Sequence, residues 1–272
     1  MKKEELEKEL EETKSQLEKT KTALKKSRKD LKEEKAKAVD WNKIGRDVLL
    51  CAWVGGVAVG AQFIVGYPML WILGKSFFTS TIGTTIYSAL VYVVTALIVI
   101  FVPWLVKKEW KTSKKELGLT DFPTFTDIGI SILGFIATIL ISGIVLNILQ
   151  VFNMVDASQA QDVGYSNLMT GFDRAIAFIS LVVVAPFAEE VIFRGWLYGK
   201  LKTTSGVVVA TILTALVFGT LHGQWNVGIT VAIMSVVVCI ERELTGTIHA
   251  GILTHMLKNG VAFGLLVLSG VL

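Results

Sequence analysis

Glu189, Glu190 and Arg194 stand in the stretch Ala188-Glu189-Glu190-Val191-Ile192-Phe193-Arg194-Gly195, directly after a run from Ile176 to Phe187 that carries no charge. A helix through this region takes both carboxylates to membrane depth, where a charge costs several kcal/mol unless it is paired or used, so such a cluster points to function. Glu190 and Arg194 are four apart and share a helix face, which lets them pair. Glu189 is turned about 100° from Glu190 and is free for another partner. Two more polar sets interrupt apolar sequence: His222, ending the run Gly206 to Leu221 with Phe218 one turn before it, and His255 with Asn259, four apart between Ala250 and Leu268. His249 falls on another face, near a membrane boundary, and is read as a bystander.

Taken together, Glu189, Glu190, Arg194, His222, His255 and Asn259 suit the activation of water. A carboxylate can take a proton from water, a neutral histidine can share that work, and side-chain donors can stabilise the oxyanion formed when water attacks a carbonyl. Glu189, His222 and His255 are also a plausible zinc set. There is no His-Glu-x-x-His, and neighbouring members lie more than thirty residues apart, so the spacing leaves Zn2+ open. The chain has no Gly-x-Ser-x-Gly, no Walker-type Gly-x-x-x-x-Gly-Lys-Ser/Thr phosphate loop and no clustered Cys. Serine-nucleophile and nucleotide-driven chemistries therefore have no residues to use, and no nucleic-acid partner is expected.

The elements that must carry these residues follow from composition. Of 272 residues 52% are hydrophobic and 18% charged, too apolar a balance for an ordinary soluble domain. The expected fold is all-α: a polytopic transmembrane bundle in the cell membrane, since about twenty apolar residues make one helical crossing. About seven crossings are expected, near 48–73, 83–106, 127–151, 172–200, 206–223, 226–242 and 247–269. Lys43 and Arg46 precede the first, Lys107, Lys108, Lys111, Lys114 and Lys115 follow the second, and Lys200 and Lys202 follow the fourth. The positive-inside rule makes these loops and the N-terminus cytoplasmic, and puts the loop bearing Asp156, Asp162 and Asp173 outside. Pro103 and Pro186 imply kinks or helix ends. Cys51 and Cys239, each in an apolar segment, read as inert thiols.

A segment of different composition, residues 1–40, precedes the membrane domain, 41–272. It is rich in Lys and Glu, lacks Gly and Pro, and places Leu10, Leu17, Leu24 and Leu31 seven apart. The second seam of this heptad, Leu6, Thr13, Thr20 and Ser27, is mostly polar, which makes any coiled coil weak. The expectation is self-association or partner docking through residues 1–38. The alternative is a solvated single helix held by Glu and Lys pairs, and cross-linking separates the two.

Glu-Glu-x-x-x-Arg at Glu189, Glu190 and Arg194, Phe-x-x-x-His at Phe218 and His222, and His-x-x-x-Asn at His255 and Asn259 resemble, in order and type, the three signature motifs of the CPBP (CAAX protease and bacteriocin-processing, or Abi) family. The type II CAAX prenyl endopeptidase is a representative of that family. The resemblance covers about residues 105–265, with Lys115-Glu116-Leu117-Gly118-Leu119 similar to the family's lead-in. It implies a helical intramembrane endopeptidase acting on a membrane-associated peptide or protein, in CAAX-type processing, peptide maturation or bacteriocin self-immunity. By similarity, Glu189 and His222 would activate the water, His255 and Asn259 would stabilise the oxyanion, and Glu190 and Arg194 would support the site. The four catalytic candidates are expected around one water-accessible cavity open to the cytoplasmic side. The competing reading is a non-catalytic membrane immunity or partner-binding protein whose polar cluster holds helices together. A proton-relay transporter is a third reading, disfavoured because no half of the sequence repeats.

Overall fold

Apolar stretches of twenty residues or more satisfy their backbone polar groups within themselves only as helices, and every regular element among the described residues is helical. The computed structural model describes residues 11, 14–28, 40–157, 159 and 170–268. The chain divides into two units, Met1–Ile44 and Gly45–Leu272. In the first unit helix α1 spans 14–28, with Lys21 paired to Glu18 at 2.9 Å. Leu17 and Leu24 are 54% and 52% exposed along it. The other expected heptad and seam positions Leu6, Leu10, Thr13 and Leu31 lie outside the described residues, as does Asp162.

The larger helices are α2 (Trp41–Leu73), α3 (Thr81–Val106), α4 (Phe125–Val151), α5 (171–205), α6 (207–220), α7 (Trp225–Thr245) and α8 (His249–Leu268). Their starts are written in local chemistry. Thr124 with Asp127 and Thr170 with Asp173 form capping boxes at α4 and α5, satisfying backbone N–H groups that a helix leaves unpaired. The long run from Gly171 breaks at Gly206, whose φ of 79° and ψ of 173° suit glycine alone.

Among the described residues five helices are long and apolar enough to cross a membrane, the 50-residue run Gly171–Thr220 counting as one. Two physical features lie between this count and the expected seven. The Gly206 break splits that run into α5 and α6, and α7 carries Glu241, Arg242 and Glu243 in its last turns, which lowers its apolarity. Exposed large apolar side chains line the outer faces, among them Phe63, Ile64, Ile132, Leu133, Ile212 and Leu216, as contact with lipid requires. The chain is a multi-pass membrane protein.

The carboxylate-bearing helix α5 departs from the plain helix expected. It widens to π geometry at Ile179–Val184 and again at Val191–Tyr198, on either side of Ala185–Glu190. Pro186 has no N–H to offer the carbonyl four residues before it, and a π turn moves that hydrogen bond by one residue. Pro186 thus neither ends nor sharply breaks the run. The distal half of α5 is the centre of the core: Trp196, Leu197, Tyr198 and Leu201 are fully buried and cluster with Phe218, Met234 and Val238. Helices α6 and α7 approach so closely that a Cβ on Gly219 would lie 2.8 Å from the Gly228 carbonyl oxygen, the small-residue contact that lipid favours. Cys239 is buried, Cys51 is half-buried, and both are free.

The lead-in segment closes the bundle around α5. Gly118 takes φ +74° and its carbonyl accepts from Ile248 N–H at 3.1 Å. Arg242 Nη2 donates to the Glu116 carbonyl at 2.6 Å and its Nη1 to that of Gly195 at 3.3 Å. The Glu116 carboxyl is held below its usual range, first by the Ser113 backbone N–H.

Candidate active site

The i, i+4 spacing of Glu190 and Arg194 closes into an ion pair, Nη1 to Oε1 at 3.0 Å, with both side chains fully buried. The guanidinium also lies over the Phe218 ring, 4.5 Å from Cζ to its centre, a favourable placement for a cation away from water. Phe218 in turn meets the rings of His222, His255 and Phe193, with centroids 4.9, 5.9 and 4.8 Å away. Thus Phe218, read from sequence only as the companion of His222, is the hub against which the polar side chains are set.

His255, 2% exposed, joins the two glutamates. Its Nδ1 is 3.0 Å from Glu190 Oε1, and its Nε2 is 3.6 Å from Glu189 Oε2. Glu189, one residue before the buried pair, keeps 14% of its side chain exposed. It faces a cavity of about 310 Å³, shared with His222, Phe218, Phe193 and Tyr92. His222 follows the last turn of α6, with Nδ1 2.9 Å from the Phe218 carbonyl oxygen. A carbonyl only accepts, so Nδ1 holds the proton and, in the neutral ring, Nε2 is the acceptor.

The three polar sets, far apart in sequence, meet around Phe218, inside one stretch of chain. Residues 171–261 match the family model of the type II CAAX prenyl endopeptidase, Rce1-like. All three motifs fall inside this match, which agrees with the CPBP resemblance and supports endopeptidase activity. No curated protein and no solved structure matches the chain.

Within the matched segment the four catalytic candidates do not all reach the cavity. Glu189 and His222 line it, whereas His255 sits behind Glu189, and Asn259 donates from Nδ2 to the Leu181 carbonyl at 2.9 Å. That carbonyl belongs to the first π segment of α5, so Asn259 braces the distorted helix carrying the glutamates. The expectation of four side chains around one cavity is met by two of them. For Asn259 the reason is local: a plain helix would give the Leu181 carbonyl the Ala185 N–H, which in this π segment donates to Ser180 instead. His249 is apart from the site, its Nε2 2.5 Å from the Asp121 carbonyl oxygen.

As a zinc set, Glu189, His222 and His255 do not fit: among the described residues no three His, Cys, Asp or Glu side chains are placed to share an ion.

Two residues escaped the sequence reading. The Tyr92 hydroxyl, from α3, donates to Glu189 Oε1 at 2.7 Å. Its signal was depth: tyrosines of membrane helices favour the two interfaces, yet Tyr92 lies eleven residues into α3, well inside the helix. Glu241, 2% exposed, accepts from Thr254 at 2.7 Å and so ties α7 to the helix bearing His255. Two residues on, Glu243 accepts from Tyr198 at 3.0 Å and from Lys202 at 2.6 Å, anchoring the end of α5.

Proposed function

We propose that this protein is an intramembrane endopeptidase that hydrolyses a peptide bond of a membrane-associated protein or peptide with water activated by Glu189 and His222. The observation that carries the reading is one carboxylate on a cavity wall, beside a histidine with a free acceptor nitrogen, backed by a buried pair that it does not share. Glu189 takes a proton from water while the oxygen attacks the carbonyl carbon, and His222 Nε2 orients that water. Breaking the C–N bond then returns the proton to the departing amine. His255 acts behind Glu189: its Nδ1–H rests on Glu190, 3.0 Å away, and its Nε2 lies 3.6 Å from Glu189 Oε2.

Cleavage of candidate membrane peptides by the protein in bilayers is the direct test. In H2 18O, one labelled oxygen should enter each new carboxylate, and activity should persist in a strong chelator. Activity lost to chelation and restored by Zn2+ would overturn the metal-free mechanism, and absence of cleavage across a broad membrane-peptide library would favour the non-catalytic binding or immunity reading.

The topology belonging to this reading has seven crossings, with α5, α6 and α7 as separate passes, the N-terminus in the cytoplasm and the C-terminus outside. It rests on the Gly206 break, on the basic loop that follows α3, and on Lys200 and Lys202 in the last turns of α5. A reporter fused after Leu272 should read external, and a cytoplasmic signal would refute the count. Through Leu17 and Leu24, the amino-terminal helix would add self-association or partner docking, which cross-linking of cysteines placed there would reveal.

A further inference from the structure

We propose that Tyr92 is a catalytic residue of this site: its hydroxyl holds Glu189 at rest and passes its hydrogen bond to the oxyanion as the peptide carbonyl is attacked. The inference rests on the endopeptidase reading above and deepens it. An oxyanion needs a donor within hydrogen-bond reach of the reacting carbonyl. His255 and Asn259, to which similarity gave that task, are engaged with Glu190 and the Leu181 carbonyl and do not line the cavity. Tyr92 does line it, with its oxygen 2.7 Å from Glu189 Oε1. Two neighbouring cavity donors are turned to backbone: Tyr87 donates to the Gln62 carbonyl at 3.3 Å, and Gln62 Nε2 lies 3.5 Å from the Ala58 carbonyl.

The transfer follows from where charge goes. At rest the negative charge is on Glu189, and a phenol beside it makes a strong, charge-assisted hydrogen bond. As Glu189 accepts the proton of water its oxygens become poorer acceptors, while the carbonyl oxygen, bonded to a carbon that has gained the water oxygen, becomes an anion. The Tyr92 O–H then donates to the stronger acceptor and keeps its own proton. When the carbonyl re-forms and the C–N bond breaks, the amine takes the proton from Glu189, and Tyr92 returns to the carboxylate. Water adds across the peptide bond, and the tyrosine is unchanged. Tyr92 lies outside residues 171–261, so this donor is supplied by a part of the chain beyond the matched segment.

Tyr92→Phe removes only the hydroxyl. In bilayers its kcat should fall about 10²- to 10³-fold, the usual range for loss of one oxyanion donor, with KM nearly unchanged. Its affinity for a peptide phosphinate, whose anionic oxygens mimic the oxyanion, should fall in parallel. Installing 3,5-difluorotyrosine at position 92 keeps the ring close to its native size and makes the phenol a better donor. At a pH where that phenol stays protonated kcat should rise, whereas a residue that only holds Glu189 would, as a stronger donor to the carboxylate, weaken the base and lower the rate. A Tyr92→Phe enzyme with wild-type kcat and phosphinate affinity, or a rate that does not rise on fluorination, overturns the proposal; if the Phe variant does not fold, the fluorinated protein decides. Glu189→Gln, assayed alongside, separates the two claims: if it is inactive while Tyr92→Phe is not, only the tyrosine's role falls; if it stays active the Glu189 mechanism falls, and if the parent protein itself cleaves nothing the endopeptidase reading falls.

Discussion

Glu189→Gln is expected to lower kcat at least about 10³-fold while leaving insertion and thermal unfolding close to those of the parent protein. The amide keeps the size of the side chain and can still accept from Tyr92 through its carbonyl oxygen, 2.7 Å away in the native arrangement. What it loses is the capacity to take a proton, and general-base assistance contributes typically 10² to 10⁴ in rate. Stability should hold because Glu189 is outside the Glu190–Arg194 pair and borders the cavity rather than the packed core. Melting in detergent and turnover of one membrane peptide are enough to check both halves. A variant that turns over at the parent rate would remove Glu189 from the chemistry. One that unfolds would instead support the view that the polar cluster merely holds helices together.

The second large effect is on stability. Arg194→Met should destabilise the bundle by about 3–5 kcal/mol, the cost of leaving one member of a buried ion pair without its partner. Glu190 would be left fully buried, with His255 Nδ1 at 3.0 Å as its remaining polar contact, and Phe218 would lose the cation resting on its face. Activity should fall as well, because His255 is oriented through Glu190 and stands 3.6 Å from Glu189. Adding Glu190→Gln to Arg194→Met removes the orphaned charge, so the double variant should recover much of the lost stability without recovering activity. Equilibrium unfolding of the single and double variants measures this coupling. An Arg194→Met protein as stable as its parent would show that the pair is dispensable.

These two expectations divide Glu-Glu-x-x-x-Arg by consequence, the first glutamate governing rate and the second with the arginine governing structure. The division was already present in the helical wheel. Residues four apart meet on one face and adjacent residues do not, a local rule that survived although Val191–Tyr198 is π-helical. The apolar runs likewise announced helices near their observed limits, and the capping boxes at Thr124 and Thr170 fixed two of their starts. The π segments themselves left little trace, since Pro186 signals an interrupted hydrogen bond without saying how the chain absorbs it.

By itself, then, the sequence determined an all-helical membrane chain, the Glu190–Arg194 pairing, and three polar sets within apolar helices, because all of these depend on composition or on spacing within one helix. Which of those residues share a cavity was decided only in three dimensions. Tyr92 reaches Glu189 across 97 positions and His255 reaches Glu190 across 65, contacts for which no periodicity within a single helix carries a signal. The same packing drew Asn259 to the Leu181 carbonyl and away from the cavity. A backbone carbonyl in the membrane interior must find a donor, and the one that reaches Leu181 is a side chain to which family resemblance had given a catalytic role.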